Sequence, residues 1–312
     1  MKYKILDMLG SGSEFVSGGD LSKKLGITRS AVWKNINNLR RDGYKIESVT
    51  GRGYRLCGGP DRINPGRLEK SVPGKVYYFK STESTNLEAK RAANVPDRSL
   101  FIADTQLGGR GRLGRKWSSP AGCGIWMSLY LKPKIAAASV SQLTLAAGLA
   151  VARAIPTSRI KWPNDVLMSN KKVCGILTEM SAEMDRVNYV VVGIGINVNN
   201  EVFGIDLIDK ATSIYRETEK KTDREELLSK VLKEFFAIYD EFLKGGFASF
   251  RDEYKKLSAT LSKEVIIIKN GEEQLARAVD INENGELIVE IDGKREIVNS
   301  GEVSVRGLLG YN

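Results

Sequence analysis

Residues 99–133 read SLFIADTQLGGRGRLGRKWSSPAGCGIWMSLYLKP. The apolar run SLFIADTQ (99–106) reads as a strand entering a loop, and GIWMSLYLKP (124–133) as the strand leaving it. Between them TQLGGRGRLGRKW (105–117) holds four glycines and four basic side chains, with no acidic residue. Glycines make such a segment permissive, and its arginines suit it to folding down over an anion and ordering when one arrives. A P-loop ends in Lys-Ser/Thr after a glycine, and a dinucleotide fingerprint opens a helix with G-x-G-x-x-G; neither is present. Arginine–glycine segments that bind nucleic acid repeat in low-complexity sequence, whereas this one lies between two strands. The stretch therefore reads as a mobile basic loop on a sheet.

Working outward, VYYFKS (76–81) reads as a strand and Ser84-Thr85-Asn86 as a hydroxyl-rich cap opening a helix. VSQLTLAAGLAVARAI (140–155) reads as a buried helix. RIKWPNDVLMSNKKVCGILTEM (159–180) reads as two strands around a turn at Ser169-Asn170, and YVVVGIGINVN (189–199) as a buried strand. From Asp223 to Lys244 the apolar positions Leu227, Leu228, Val231, Leu232, Phe235, Phe236, Ile238, Tyr239 and Phe242 form one stripe, expected to pack on the sheet. The expectation is α+β with a mixed sheet. After Lys263, short β-runs separated by Asn-Gly and Asp-Gly turns predict a small C-terminal β-barrel.

The chain has 312 residues and a net charge of +10, of which eleven basic against five acidic residues fall in the first sixty. That asymmetry favours a polyanionic partner for the N-terminal segment. There, a helix ends at Gly10-Ser11-Gly12, Asp20 is placed to cap a second helix closed by Gly26, and Thr28 to cap a third. Val32, Ile36 and Leu39 give the third helix a buried stripe and leave Arg29, Ser30, Lys34, Asn37 and Arg41 outward. YKIESV and GYRLCG then form a hairpin with Arg52 near its tip. Two short helices around a glycine turn, followed by a basic hairpin, constitute a winged helix-turn-helix suited to DNA. The segment 58–66, GGPDRINPG, marks a boundary. Three cysteines without metal-site spacing indicate free thiols in a reducing, cytoplasmic setting, and no apolar run is long enough to suggest a membrane protein. Histidine is absent, which removes imidazole-based catalysis.

Two further motifs carry chemistry. In KWPND (161–165) Lys161 stands at a strand end where it can neutralise a carboxylate or α-phosphate oxygen, while Asn164 and Asp165 can orient a polar ligand or Mg²⁺. In GIGIN (193–197) Gly193 and Gly195 fall on one strand face and would let a flat ligand lie against it. Flexible arginines, a fixed lysine and a glycine floor suit attack of a carboxylate on ATP, catalysed by positioning and charge neutralisation. No resident metal site is expected.

In their order, STN (84–86), GRGRLGRKW (109–117), KWPND (161–165) and GIGIN (193–197) resemble the biotin–protein ligases. The winged helix and the terminal β-domain with SGEVSVR (300–306) resemble the bifunctional bacterial form, which also represses the biotin operon. The resemblance implies a class II synthetase-like catalytic domain at 61–263 between a winged helix at 1–60 and an SH3-like β-domain at 264–312. It implies that biotin and Mg-ATP form biotinyl-5′-adenylate, which a lysine of a biotin carboxyl carrier protein then attacks. Ser84, Thr85, Asn86 and Gln106 would meet biotin, as would Arg110, Gly111, Arg112, Lys161, Gly193 and Gly195. Among these, Arg110, Arg112 and Lys161 would be the catalytic group. Arg112, Arg115, Lys116, Trp117, Asn164, Asp165 and Asn197 would meet the nucleotide. Arg29, Ser30, Lys34, Asn37, Arg41 and Arg52 would meet operator DNA, bound by a ligand-promoted homodimer. The family's loop often has a further basic residue where this chain has Leu113, and residues 199–212 carry no motif that assigns adenine contacts. A biotin-sensing repressor without ligation and a lipoate-type ligase are the alternatives.

Overall fold

The computed structural model describes residues 1–9, 14–58, 63–183, 186–269, 272–300 and 304–307. The expected helix end at Gly10-Ser11-Gly12 and the turn at Asn270-Gly271 lie outside them, as do residues 59–62 of the boundary segment and 301–303 of SGEVSVR. The chain divides into two units, Met1–Lys70 and Ser71–Asn312.

In the first unit α1 (Lys2–Leu9), α2 (Gly18–Leu25) and α3 (Arg29–Arg41) precede a hairpin of β1 (Lys45–Val49) and β2 (Gly53–Gly58). Ser17, not Asp20, caps α2: its hydroxyl accepts from the Asp20 amide, which puts Asp20 inside the first turn. An acid there also faces the positive helix end, so both residues serve the terminus. Gly26 closes α2 in the left-handed region at φ 63°, and Thr28 caps α3 by accepting from the Ala31 amide. Val32, Ile36 and Leu39 are buried with Ile5, Leu6, Leu9 and Leu21. Burying each such side chain contributes about 1.5–3 kcal/mol, enough to hold three short helices that would not persist alone. The boundary segment is partly structured: α4 (Pro65–Leu68) follows Asn64, whose side-chain amide donates to Asp7 of α1 at 2.8 Å, and Leu68 is buried.

The second unit is built on β3 (Val76–Phe79), α5 (Thr85–Arg91), β4 (Ser99–Ala103), β5 (Gly124–Leu131), α6 (Ser141–Ala154), β6 (Arg159–Lys161), β7 (Asp165–Met168), β8 (Lys171–Glu183) and β9 (Arg186–Asn197). These seven strands form one sheet in the order β3-β4-β5-β9-β8-β7-β6. The β3–β4 pair is parallel and the other pairs are antiparallel, giving the expected mixed sheet. The stretch 159–180 is three strands rather than two, because the chain also turns between Lys161 and Asp165, which pair with each other. A proline ring cannot donate to a ladder, so Pro163 belongs in that turn.

Short α7 (Ile214–Thr218) leads to α8 (Arg224–Gly245), capped by the Asp223 carboxylate on the amides of Glu225 and Glu226. The nine stripe residues of α8 are buried, and they pack chiefly against α6, reaching the sheet at β5. The stretch 137–154, apolar enough to cross a membrane, is mostly buried in this core. After α9 (Arg251–Lys256) come β10 (Glu264–Lys269), β11 (Glu272–Ile281), β12 (Leu287–Ile291), β13 (Lys294–Val298) and β14 (Ser304–Gly307). They form an antiparallel sheet ordered β13-β12-β11-β10-β14, with Asp292-Gly293 supplying the two left-handed residues of a hairpin turn.

Candidate active site

A cavity of about 860 Å³ opens on the face of the large sheet covered by α5. Every biotin- and nucleotide-site residue proposed from the sequence lines it: the Ser84–Asn86 turn, Gln106, the loop 110–117, KWPND and the GIGIN strand. Each motif arrives from a different element, so the sheet and its loops bring together residues over a hundred positions apart.

At one end Thr85 and Asn86 open α5 and are buried. Ser84 precedes the helix but its hydroxyl makes no capping bond, contrary to the hydroxyl-cap reading; its carbonyl accepts the first helical amide, from Glu88. The Thr85 amide donates to Gln106 Oε1 at 2.9 Å, and Gln106 Nε2 donates to Ser119 at 2.9 Å. Such bonds hold the Gln106 amide in one orientation.

The basic loop is folded as a tight bend in which Arg110 pairs with Lys116 and the Trp117 amide donates to the Gly109 carbonyl. Its glycines serve different ends. Gly114 is left-handed at φ 71°, whereas a Cβ at Gly109 would lie 2.4 Å from the Trp117 carbonyl. Leu113 is also left-handed, at φ 56°, and 73 % exposed. The two candidate arginines differ. Arg110 is exposed with Glu83 3.8 Å away, while half-buried Arg112 donates to Asn164 Oδ1 at 3.2 Å and to the Ser300 carbonyl at 2.5 Å. Burial lowers the Arg112 pKa from the usual guanidinium value; the Asp165 carboxylate opposes this and Arg115 adds to it. A partly desolvated cation at a cavity wall gains most from an incoming anion.

Lys161 and Asp165 face each other across the KWPND turn and are 7 % and 8 % exposed. The sequence reading missed Lys172, whose ammonium lies 2.5 Å from Asp165 Oδ1 and 5.2 Å from the Trp117 ring centre. Simple alternation would turn Lys172 away from Gly175. A register shift between Val166 and Leu167 puts it on the cavity side, where a Cβ on Gly175 would touch it. A bulge leaves no mark in the apolar pattern. Ser128, fully buried in β5 behind Thr85 and Asn86, was missed for the same want of a motif.

The glycine floor has occupants within the protein. A Cβ at Gly195 would lie 2.5 Å from Trp117 Nε1, and one at Gly193 would lie 2.3 Å from Asn86 Oδ1. The flat group resting on Gly195 is thus the Trp117 indole. Asn197 donates to the Thr212 carbonyl at 3.1 Å and so anchors the following loop. That loop contributes Val202, Phe203, Leu207 and Ala211 to the cavity, with Val202 85 % exposed. Among the described residues no cluster of three Cys, Asp or Glu is placed to hold a metal ion.

In the first unit Arg29, Ser30, Lys34 and Arg41 are exposed on α3, with Asn37 partly so. Exposed Arg52 holds its guanidinium 5.4 Å from the Phe15 ring. Trp33, 60 % exposed on the same helix, was not anticipated. On the wing Arg55 donates to Glu47, which lowers the Glu47 pKa from its usual value.

Family models match in three blocks: a helix-turn-helix domain over residues 2–55, the biotin/lipoate A/B protein ligase family over 76–197, and a biotin protein ligase C-terminal domain over 260–306. The bifunctional ligase/repressor BirA of Bacillus spizizenii is 37 % identical over 309 residues, covering 95 % of each chain. This chain belongs to the biotin protein ligase family. BirA of Escherichia coli is 29 % identical and covers 97 % of the chain and 96 % of its own. A structure of the Aquifex aeolicus biotin protein ligase with biotin and ATP superposes with a TM-score of 0.67 at 34 % identity, covering 75 % of this chain and 99 % of its own. The alignments with the bifunctional ligase/repressors run over 95–97 % of this chain.

Proposed function

We propose that this chain ligates biotin to a lysine of a biotin carboxyl carrier protein and represses transcription through its N-terminal unit. The observation that carries the ligase reading is the convergence of Arg112, Lys161 and Lys172 on one cavity that also holds Asp165. Three cations at the meeting point of two anions offset the repulsion that separates a carboxylate from a triphosphate. The biotin carboxylate oxygen attacks the α-phosphorus, the bond to the bridging oxygen breaks, and pyrophosphate leaves with that electron pair. A carrier lysine, as free amine, then attacks the acyl carbon of biotinyl-5′-adenylate and AMP leaves. The amine loses its surplus proton as the amide forms, and the chain has no histidine to take it.

In this reading Ser84, Thr85, Asn86 and Gln106 hold the ring end of biotin, Arg110 closes the mouth, and Trp117 walls the chain. The 200–211 segment covers the nucleotide. Asp165 and Asn164 would hold Mg²⁺ through their side-chain oxygens. It would supply charge neutralisation on the triphosphate; two protein oxygens suit an ion that arrives with its nucleotide. For the repressor role, α3 enters the major groove and Arg52 reaches the backbone beside it. Adenylate-promoted dimerisation and a reducing cytoplasmic setting belong to the same proposal; the free cysteines Cys57, Cys123 and Cys174 support the latter.

The test is exchange of labelled pyrophosphate into ATP. Biotin should support exchange and lipoate should not; no exchange with biotin at saturating Mg-ATP would sink the ligase reading.

A further inference from the structure

The run Asn197-Val198-Asn199-Asn200, at the end of β9, carries three buried side-chain amides. Asn199 engages one residue with both ends: its Nδ2 donates to the Thr222 carbonyl at 2.9 Å, and its Oδ1 accepts the Thr222 amide at 3.0 Å. Asn197 commits its Nδ2 to the Thr212 carbonyl. Asn200 is different. It is 5 % exposed and lines the cavity, yet its buried Oδ1 has no hydrogen-bond partner among the described residues. A buried amide oxygen without a donor destabilises a fold, and natural proteins hold few of them.

The backbone at this position is nonetheless well tied. The Ser213 hydroxyl donates to the Asn200 carbonyl at 2.6 Å, and Ser213 is itself fully buried at the cap of α7. The Tyr215 amide donates to the Val198 carbonyl at 2.8 Å, and the Asn199 amide to the Cys123 carbonyl at 2.6 Å. A side chain on backbone fixed in this way is preorganised for a contact. The segment that follows adds Val202, Phe203, Leu207 and Ala211 to the cavity, apolar side chains that suit a flat base rather than a phosphate.

We propose that Asn200 reads the adenine base: its Oδ1 accepts from the 6-amino group and its Nδ2 donates to N7. The inference rests on the ligase reading, in which the cavity takes ATP. On that edge adenine offers a donor beside an acceptor, the complement of a carboxamide, and Asn pairs with adenine in this way elsewhere. Guanine and hypoxanthine offer two acceptors there, O6 and N7. Whichever way the amide turns, its oxygen then faces another acceptor. An oxygen that the fold leaves unpaired is thus satisfied by a 6-amino purine and by no 6-oxo one.

The experiment follows pyrophosphate exchange into ATP, into purine riboside triphosphate, which lacks the 6-amino group, and into 7-deaza-ATP, which lacks N7. Wild type and Asn200→Leu are compared. Wild-type exchange with ATP and biotin tests the function itself; the nucleotide ratios test this inference. In wild type each analogue should raise the nucleotide KM about three- to tenfold over ATP, the effect of one lost hydrogen bond. In Asn200→Leu the ATP KM should rise about tenfold, and both analogues should then fall within about twofold of ATP. The biotin KM at saturating ATP should stay within about twofold. Leucine has nearly the same shape and no polar atom, so the variant's melting temperature without ligand should equal or exceed that of wild type. Should Asn200→Leu fail to fold, Asn200→Ala decides by the same ratios. Equal wild-type KM values for the three nucleotides would overturn the proposal. So would a folded variant that keeps the wild-type ratios, and one that also melts lower would show Asn200 to be structural.

Discussion

Arg112 touches three things of different origin: the Asn164 side chain, the carbonyl of Ser300 beyond β13, and the cavity. A fully solvated loop arginine could be replaced with little effect on stability, but this one cannot. Arg112→Ala removes two hydrogen bonds from a half-buried group and should cost about 1–2 kcal/mol, read as a lower melting temperature with the fold retained. The same change should shorten retention of the adenylate, measured as its release from preloaded protein. Retention equal to wild type would remove Arg112 from the site. Single residues were unevenly legible. Thr28 announces its helix because a cap needs a particular side chain at a particular place. Lys172 was silent, since its direction depends on a bulge, and Ser17 was passed over for Asp20 although both act on one turn.

At the scale of elements, most strands and helices were legible because their apolar periods differ, two against 3.6. The exception is KWPND: the run 159–168 looks like one strand, yet it doubles back within three residues. That bend brings Trp162 to the turn between β11 and β12, where its indole N–H donates to the Gly285 carbonyl at 3.0 Å, while its amide donates to Thr260 at 2.9 Å. The motif that positions Lys161 thus also anchors the β-domain. Trp162→Phe keeps most of the packing but strands a buried carbonyl, at a cost of about 1–3 kcal/mol. The expected result is earlier unfolding in urea together with weakened ATP binding, measured by titration. If ATP binding held while stability fell, the anchor and the site would be separate. No local pattern in the sequence could have joined residue 162 to residue 285.

For the whole molecule, the charge imbalance of the first sixty residues marked a nucleic-acid reader, and the exposed basic face of α3 accords with it. Charge did not mark where that unit stops. Because α4 packs on α1, a cut after residue 60 would leave Ile63 and Leu68, both buried in the intact chain, without their partners. Deleting residues 1–70 is therefore the cleaner separation. The shortened protein should lose operator binding and keep measurable ligation. Operator binding by the full chain should weaken steeply with salt, as expected where several Lys and Arg displace counterions. Binding that persisted after the deletion would place the DNA face elsewhere.

The floor beneath Trp117 and Asn86 has its own implication for how this protein can change. Backbone alone forms it at Gly193 and Gly195, and each already has a neighbour closer than any Cβ would tolerate. Substitution there displaces a working side chain before it meets a ligand, so the floor is closed to gradual adaptation. The walls are not. An evolving or engineered enzyme that must admit a wider molecule has its opening at Trp117, where a smaller side chain vacates the space of an indole above an unaltered strand.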